Sequence, residues 1–248
     1  MPKIMPIATH CAVPAEFRFC PPIRMASASS WRLIVVACVA LALSTAVQAG
    51  KPDNVTEAEM AVLPPYCPDT QTFKYGNATS NPSPNAPKWV GLMGNGFWAM
   101  HHYCWALINL SRAQKPSIPA NIRDAMRGYA IDDMKYVLLN TEPDFVLSPE
   151  IYTKIGDVEL ALNRPVEARN AYANARSLKP DYWPAYLNWA EYLRRSGDKA
   201  KARELVEEGL SYAPNAKSLS RLLIELGGNP STVRTRPVPE PPSTTPGK

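Results

Sequence analysis

Hydrophobic residues recur at helical spacing through most of the chain between Trp89 and Leu226, while proline-rich polar stretches lie on either side. From Gly96 to Arg112 the sequence GFWAMHHYCWALINLSR carries Phe97, Met100, His101, Cys104, Leu107 and Ile108 on one stripe. That spacing predicts a helix, and Trp98 and Trp105 off the stripe predict burial on most sides. A second helix is expected from Pro119 to Asn140, with Ile122, Met126, Tyr129, Ala130, Val137 and Leu138 on its apolar face. Ser117 is its expected cap, and Pro119 suits a first turn, where the missing N–H costs nothing. Near the C-terminus, Lys217 to Leu226 (KSLSRLLIEL) is amphipathic and ends at Gly227-Gly228.

Between these segments the pattern repeats. Residues 149–182 laid over residues 183–216, an offset of 34, bring Tyr152 onto Tyr186, Ala168 onto Ala202, Arg169 onto Arg203, Ser177 onto Ser211 and Pro180 onto Pro214. The aromatic-x-x-Leu-Gly signature has counterparts in Tyr152-x-x-Ile155-Gly156 and Tyr186-x-x-Trp189-Ala190. Ala-x-x-x-Phe-x-x-Ala has counterparts in Ala168-x-x-x-Tyr172-x-x-Ala175 and Ala202-x-x-x-Val206-x-x-Gly209. This period and these residues resemble the tetratricopeptide repeat (TPR) family, whose unit is an antiparallel helix pair. Two helices approach closely only where one presents a small side chain, so Gly156 and Ala190 are expected to face Ala168 and Ala202. Asn163 and Gly197 fall at the turn inside each pair, where a left-handed backbone is needed, and Pro165 falls in a first helical turn. Glu159 departs from the family, which usually has a large aromatic residue there.

The resemblance implies an all-α protein, a TPR-type α-solenoid of about three helix pairs. Residues 89–148 would be a degenerate first pair, 149–182 and 183–216 full repeats, and 217–228 a capping helix. In the family the first helix of each pair lines the groove where peptides bind. Carried onto this chain, the groove positions are Thr153, Lys154, Asp157, Leu187, Asn188, Glu191, Arg194 and Arg195. Only Asn188 matches the Lys/Asn/Arg clamp that some members use for a terminal carboxylate. A solvated helix face without a ligand would carry the same residues.

The N-terminus reads as a targeting segment. Trp31-Arg32 precedes an apolar run of 15 residues, Leu33 to Val47, which Val47-Gln48-Ala49 closes as a small-x-small cleavage signal before Gly50. The run falls short of the roughly 20 residues needed to cross a bilayer, so no membrane span is expected in the processed chain. Residues 25–49 form the expected signal peptide, with Met25 as the expected start and 1–24 as an extension outside the pattern. Val35-Val36-Ala37-Cys38 resembles a lipoprotein box, but the apolar run continues past it. Export places the protein in the periplasm of a bacterium, and otherwise makes it secreted.

Cleavage alters both charge and cysteine content. The chain has 27 basic and 22 acidic residues; losing Lys3, Arg18, Arg24, Arg32 and Glu16 leaves 23 and 21, a net +2. So small a surplus gives no reason to expect nucleic acid as a partner. Of five cysteines, Cys11, Cys20 and Cys38 go with the leader, leaving Cys67 and Cys104. An even pair in an exported chain reads first as a disulfide, here pinning the arm before Trp89 to the first long helix. Two other readings use the same atoms: a metal site of Cys67, Cys104, His101 and His102, and a Cys–His nucleophile pair, for which no orienting third group is evident.

Of the 26 prolines, 17 lie in the first 25 residues, from Pro64 to Pro87, and from Pro230 onward. Residues 50–88 are accordingly expected to be an irregular arm and linker, and 229–248 a disordered tail whose prolines serve as solvated linker or docking ligand. Asn54-Val-Thr56 and Asn77-Ala-Thr79 are glycosylation sequons where the host glycosylates exported proteins. No haem, zinc-ribbon, nucleophile-elbow or phosphate-loop motif is present, so neither catalytic set nor cofactor is implied. The expected function is an exported scaffold or adaptor that binds a protein or peptide in a cell-envelope assembly. The alternatives are a metal- or thiol-dependent protein built on the His/Cys cluster, and a purely structural stack.

Overall fold

A computed structural model describes residues 50–73 and 82–239. The expected leader with Met25 and Cys38, the Asn77 sequon and the tail from Glu240 lie outside the described residues.

The two turns predicted to be left-handed show why the chain folds into pairs. Asn163 has φ +58° and Gly197 φ +93°, 34 residues apart. Around them the same two bonds close both first helices. Asn163 N–H donates to Leu160 O and Arg164 N–H to Glu159 O; Gly197 N–H donates to Arg194 O and Asp198 N–H to Leu193 O. This is the Schellman arrangement, which satisfies the last carbonyls of a helix and turns the chain back. Gly227, at φ +77°, repeats it with Gly228 N–H donating to Leu223 O. The helices so terminated are α5 (Ser148–Ala161), α7 (Trp183–Arg195) and α9 (Lys217–Glu225).

Each of the first two is followed by its partner, α6 (Pro165–Leu178) and α8 (Lys199–Tyr212). Pro165 stands at the start of α6, and the Asp198 carboxylate caps α8 by accepting from Lys201 N–H. Within the first repeat Gly156 lies against the fully buried ring of Tyr172; a Cβ there would fall 2.7 Å from two ring carbons. Gly156 therefore makes room for Tyr172, whereas Ala168 packs with Tyr172, Ala175 and Ala185. In the second repeat Ala190 and Ala202 share one cluster with Tyr186 and Val206, and Gly209 admits Tyr186 and Leu219.

The degenerate pair is α3 (Met100–Arg112) and α4 (Ala120–Leu139), packed along each other. α3 is buried on most sides, from Met100 through Tyr103, Cys104 and Trp105 to Ile108. It begins four residues later than its pattern predicts, because Gly94 (φ +63°) opens a 3-10 turn through Ala99. The apolar face of α4 also differs from expectation. Ala130, Ile131, Met134 and Val137 are buried, while Ile122 and Tyr129 are exposed. Ser117 makes no cap; Pro119 holds that position without a side-chain bond.

Two further helices precede α3: α1 (Glu57–Ala61), inside the segment expected to be irregular, and α2 (Ala86–Met93), which begins at that segment's end. α1 starts with a reciprocal capping box between Thr56 and Glu59. Glu59 then accepts two bonds from Arg112, at 2.7 and 2.9 Å, clamping α1 to the end of α3. α2 is tied down by buried Asp69, which accepts from Ser83 Oγ and from Trp89 Nε1 at 2.7 Å. At the other end, α9 buries Leu219, Leu222 and Leu223 on the last repeat as the expected cap. Part of the tail also docks: Arg236 N–H donates to Ser211 O at 2.7 Å. Among the described residues no helix is long and apolar enough to cross a membrane.

Ala168 and Ala202 are fully buried. Ala168→Leu is expected to overpack the α5–α6 seam and cost ~1–3 kcal/mol, read from chemical denaturation. The Arg112 guanidinium holds the Glu59 carboxyl at about 2, below its ordinary 4.5. The clamp therefore stabilises fully above pH 4.5 and is lost as pH falls through about 2. Glu59→Gln should lower stability at neutral pH, with the gap from the unsubstituted protein closing below pH 4.5 in a melting series.

Candidate peptide-binding groove

α5 and α7 lie side by side across the repeat boundary, and a cleft of about 540 Å³ opens between them. Its walls are Asp157, Leu160, Ala161, Tyr172, Asn188, Glu191, Tyr192 and Arg195. Asp157 organises it: Oδ1 accepts from Tyr172 O–H and from Asn188 Nδ2, each at 2.8 Å. One carboxylate thus joins a helix pair to the next repeat. Burial, with Asp157 alongside, pushes the Tyr172 phenol far above its ordinary value, so it serves as a neutral donor. Lys154 Nζ lies 3.9 Å from Asp157 Oδ2.

The opposite wall carries charge and aromatic surface. Glu191 is held by Arg194 at 2.7 Å, and Arg195 donates through Nε to the Glu191 carbonyl at 3.3 Å. Arg195 is exposed and, among the described residues, makes no ion pair. Tyr192 stacks on Trp189 with ring centroids 5.0 Å apart. The arrangement offers a cation, a polar rim and an aromatic face.

Of the eight sequence-predicted positions, Asp157, Asn188, Glu191 and Arg195 meet in the cleft. Thr153 does not: it is buried and its hydroxyl donates to Pro149 O within the helix. Leu187 packs into the core of the second repeat, and Lys154 and Arg194 reach the cleft's acids from outside its lining. Asn188 spends an amide donor on Asp157, which departs from a carboxylate clamp. Leu160, Ala161, Tyr172 and Tyr192 were missed, although three of them lie one helical turn beyond Asp157 or Asn188, where i+3 and i+4 neighbours share a face. Glu159 is buried, with Arg164 Nη1 3.6 Å from its Oε2.

The His/Cys cluster lies on α3, apart from the cleft's lining. Cys67 and Cys104 are joined by a disulfide, so neither is a thiolate for metal or nucleophilic chemistry. Among the described residues no three His, Cys, Asp or Glu side chains are placed to hold a metal ion, and the alternative set of His101, His102, Cys104 and Cys67 is not assembled. His101 donates from Nδ1 to Trp98 O at 3.0 Å, and burial lowers its pKa to about 4, with His102 adding to the shift. His102 meets Asp133 Oδ1 at 2.7 Å and lies between the Trp105 and Tyr136 rings.

Stacked helix pairs closed by Schellman turns and bridged across their boundary define an α-solenoid scaffold. Residues 159–224 match the tetratricopeptide repeat family, which supports reading this part of the chain as tetratricopeptide repeats. Such repeats are typically non-catalytic and mediate protein–protein interaction. A search of curated proteins found no match to the chain.

The disulfide closes a loop with a sequence separation of 37 and buries both cysteines beside Tyr66 and Trp105. In the chain-entropy model such a loop contributes about 4 kcal/mol. Replacing both cysteines with serine should lower Tm and increase hydrogen exchange before Trp89, while protection of α5 to α8 stays near that of the unsubstituted protein. Peptide mapping without reductant checks the bond itself; two free thiols in the native protein would contradict it.

Proposed function

We propose that this protein is an exported scaffold that holds an extended segment of a partner protein in the α5–α7 cleft, within a cell-envelope assembly. The observation that carries the reading is the Tyr172–Asp157–Asn188 bridge, which builds one polar floor from two repeats and leaves Arg195 and Tyr192 at its rim. Export is supported by the apolar run before Val47-Gln48-Ala49 and by the Cys67–Cys104 bond, which belongs to an oxidising compartment. The periplasm is the destination in a bacterium, and secretion in other hosts. Cleft chemistry favours a peptide with an acidic or carboxylate group facing Arg195 and an apolar residue on Tyr192.

Arg195→Glu alters only the exposed rim and should leave Tm within about 1 °C of the unsubstituted protein, whereas Tyr192→Ala also loses the stack on Trp189 and should lower Tm by a few degrees. Affinity purification from the native envelope fraction is expected to recover a partner with the unsubstituted protein and at least tenfold less of it with either variant. Equal recovery by both variants would move the binding surface elsewhere.

A further inference from the structure

Asp133 is a charged side chain, 3 % exposed, in the middle of α4. Its Oδ1 is met by His102 at 2.7 Å, whereas Oδ2 has no hydrogen-bond partner among the described residues. A buried carboxylate oxygen without a donor is costly, and the expected partner is a cation or a strong N–H donor. The chain beside it is Gly50. A Cβ on Gly50 would fall 2.6 Å from Asp133 Oδ2, 2.8 Å from Tyr129 Cβ and 3.2 Å from Asn109 Nδ2. Only glycine fits there. Its carbonyl accepts from Asn109 Nδ2 at 2.5 Å, Pro52 is buried, and Arg112 holds the Asp53 carbonyl at 2.9 Å. The backbone nitrogen shares a Cα with that crowded Cβ direction, so bond lengths keep it within about 5 Å of Oδ2.

The sequence gives Gly50 a second distinction, since it directly follows Val47-Gln48-Ala49. We propose that Asp133 is the receptor for the α-ammonium group of Gly50, exposed when a signal-cleaving protease cuts the Ala49–Gly50 bond. The protease adds water across the peptide bond, leaving a carboxylate on Ala49 and an ammonium on Gly50. Before the cut the nitrogen is a neutral amide carrying an acyl chain. After it, the nitrogen is a cation with three donors, small enough for a socket that admits no side chain. Processing thus completes the polar cluster of His102, Asp133 and Asn109 and fixes the arm along α3. The proposal rests on the export reading above.

The groups beside Gly50 are Asp133 and Tyr129 from α4 and Asn109 from α3; His102 meets the other oxygen of Asp133, with Tyr136 and His101 against the His102 ring. A carboxylate neighbour raises an amine's pKa, so the Gly50 amine should titrate at least one unit above the ordinary 7.7–8.0. NMR titration of the processed protein labelled at glycine reads this directly, and Asp133→Asn should return the value to the ordinary range. A second measurement serves if Asp133→Asn destabilises the fold. Keeping Ala49 as one extra N-terminal residue moves the ammonium by one Cα step, about 3.8 Å. Asp133→Asn should then lower Tm by at least about 3 °C more in the protein starting at Gly50 than in the extended one. An ordinary amine titration, or the same Tm loss in both backgrounds, overturns the proposal and leaves export standing. A native N-terminus other than Gly50 overturns the proposal together with the cleavage site.

Discussion

How closely two helices can approach sets everything else in this molecule. Gly156 and Gly209 let the rings of Tyr172 and Tyr186 enter where any Cβ would collide with them. With the rings seated, Ala168, Ala175, Ala190 and Ala202 close the seams around them. The seam also shapes the cleft. Tyr172 fills the inside of the first repeat with its ring and directs its hydroxyl to Asp157 at the cleft. The core and the cleft therefore share one side chain, and the cleft inherits the rigidity of the core beneath it.

A helical stack has two ends, and this one closes them by different means. The C-terminal end uses α9, whose three buried leucines are backed by Gly227 and Gly228. The N-terminal end, among the described residues, carries only the short helices α1 and α2. There a short arm is held by the Cys67–Cys104 bond, the Asp69 bonds to Ser83 and Trp89, and the Glu59–Arg112 clamp. Apolar burial alone is insufficient for a segment this short, so covalent and charge-assisted contacts take its place. The cap requirement of repeat arrays is met on both sides.

Much of this was present in the order of residues. The 34-residue offset located both full repeats because each helix pair satisfies its own backbone and buries its own seam, so local signals suffice. The left-handed turns at Asn163 and Gly197 and the capping helix at Lys217 are of this kind. The phase of α4 was misjudged for the opposite reason. Ile122 and Tyr129 are apolar by type, but the neighbours that decide burial come from α3 and α5, and they select Ala130, Ile131 and Met134 instead.

The sequence by itself determined the helix pairs, their turns and the family, since 3.6-residue periodicity, small residues and turn glycines act within a few tens of residues. It also marked Cys67 and Cys104 as a pair. What only the tertiary structure decided is which polar side chains meet. Asp157 receives Tyr172 and Asn188, Asp69 receives Trp89, and Asp133 faces both His102 and Gly50 across gaps of 15 to 83 positions. A buried carboxylate accepts whichever donors the fold brings within about 3 Å, and no local pattern records that choice.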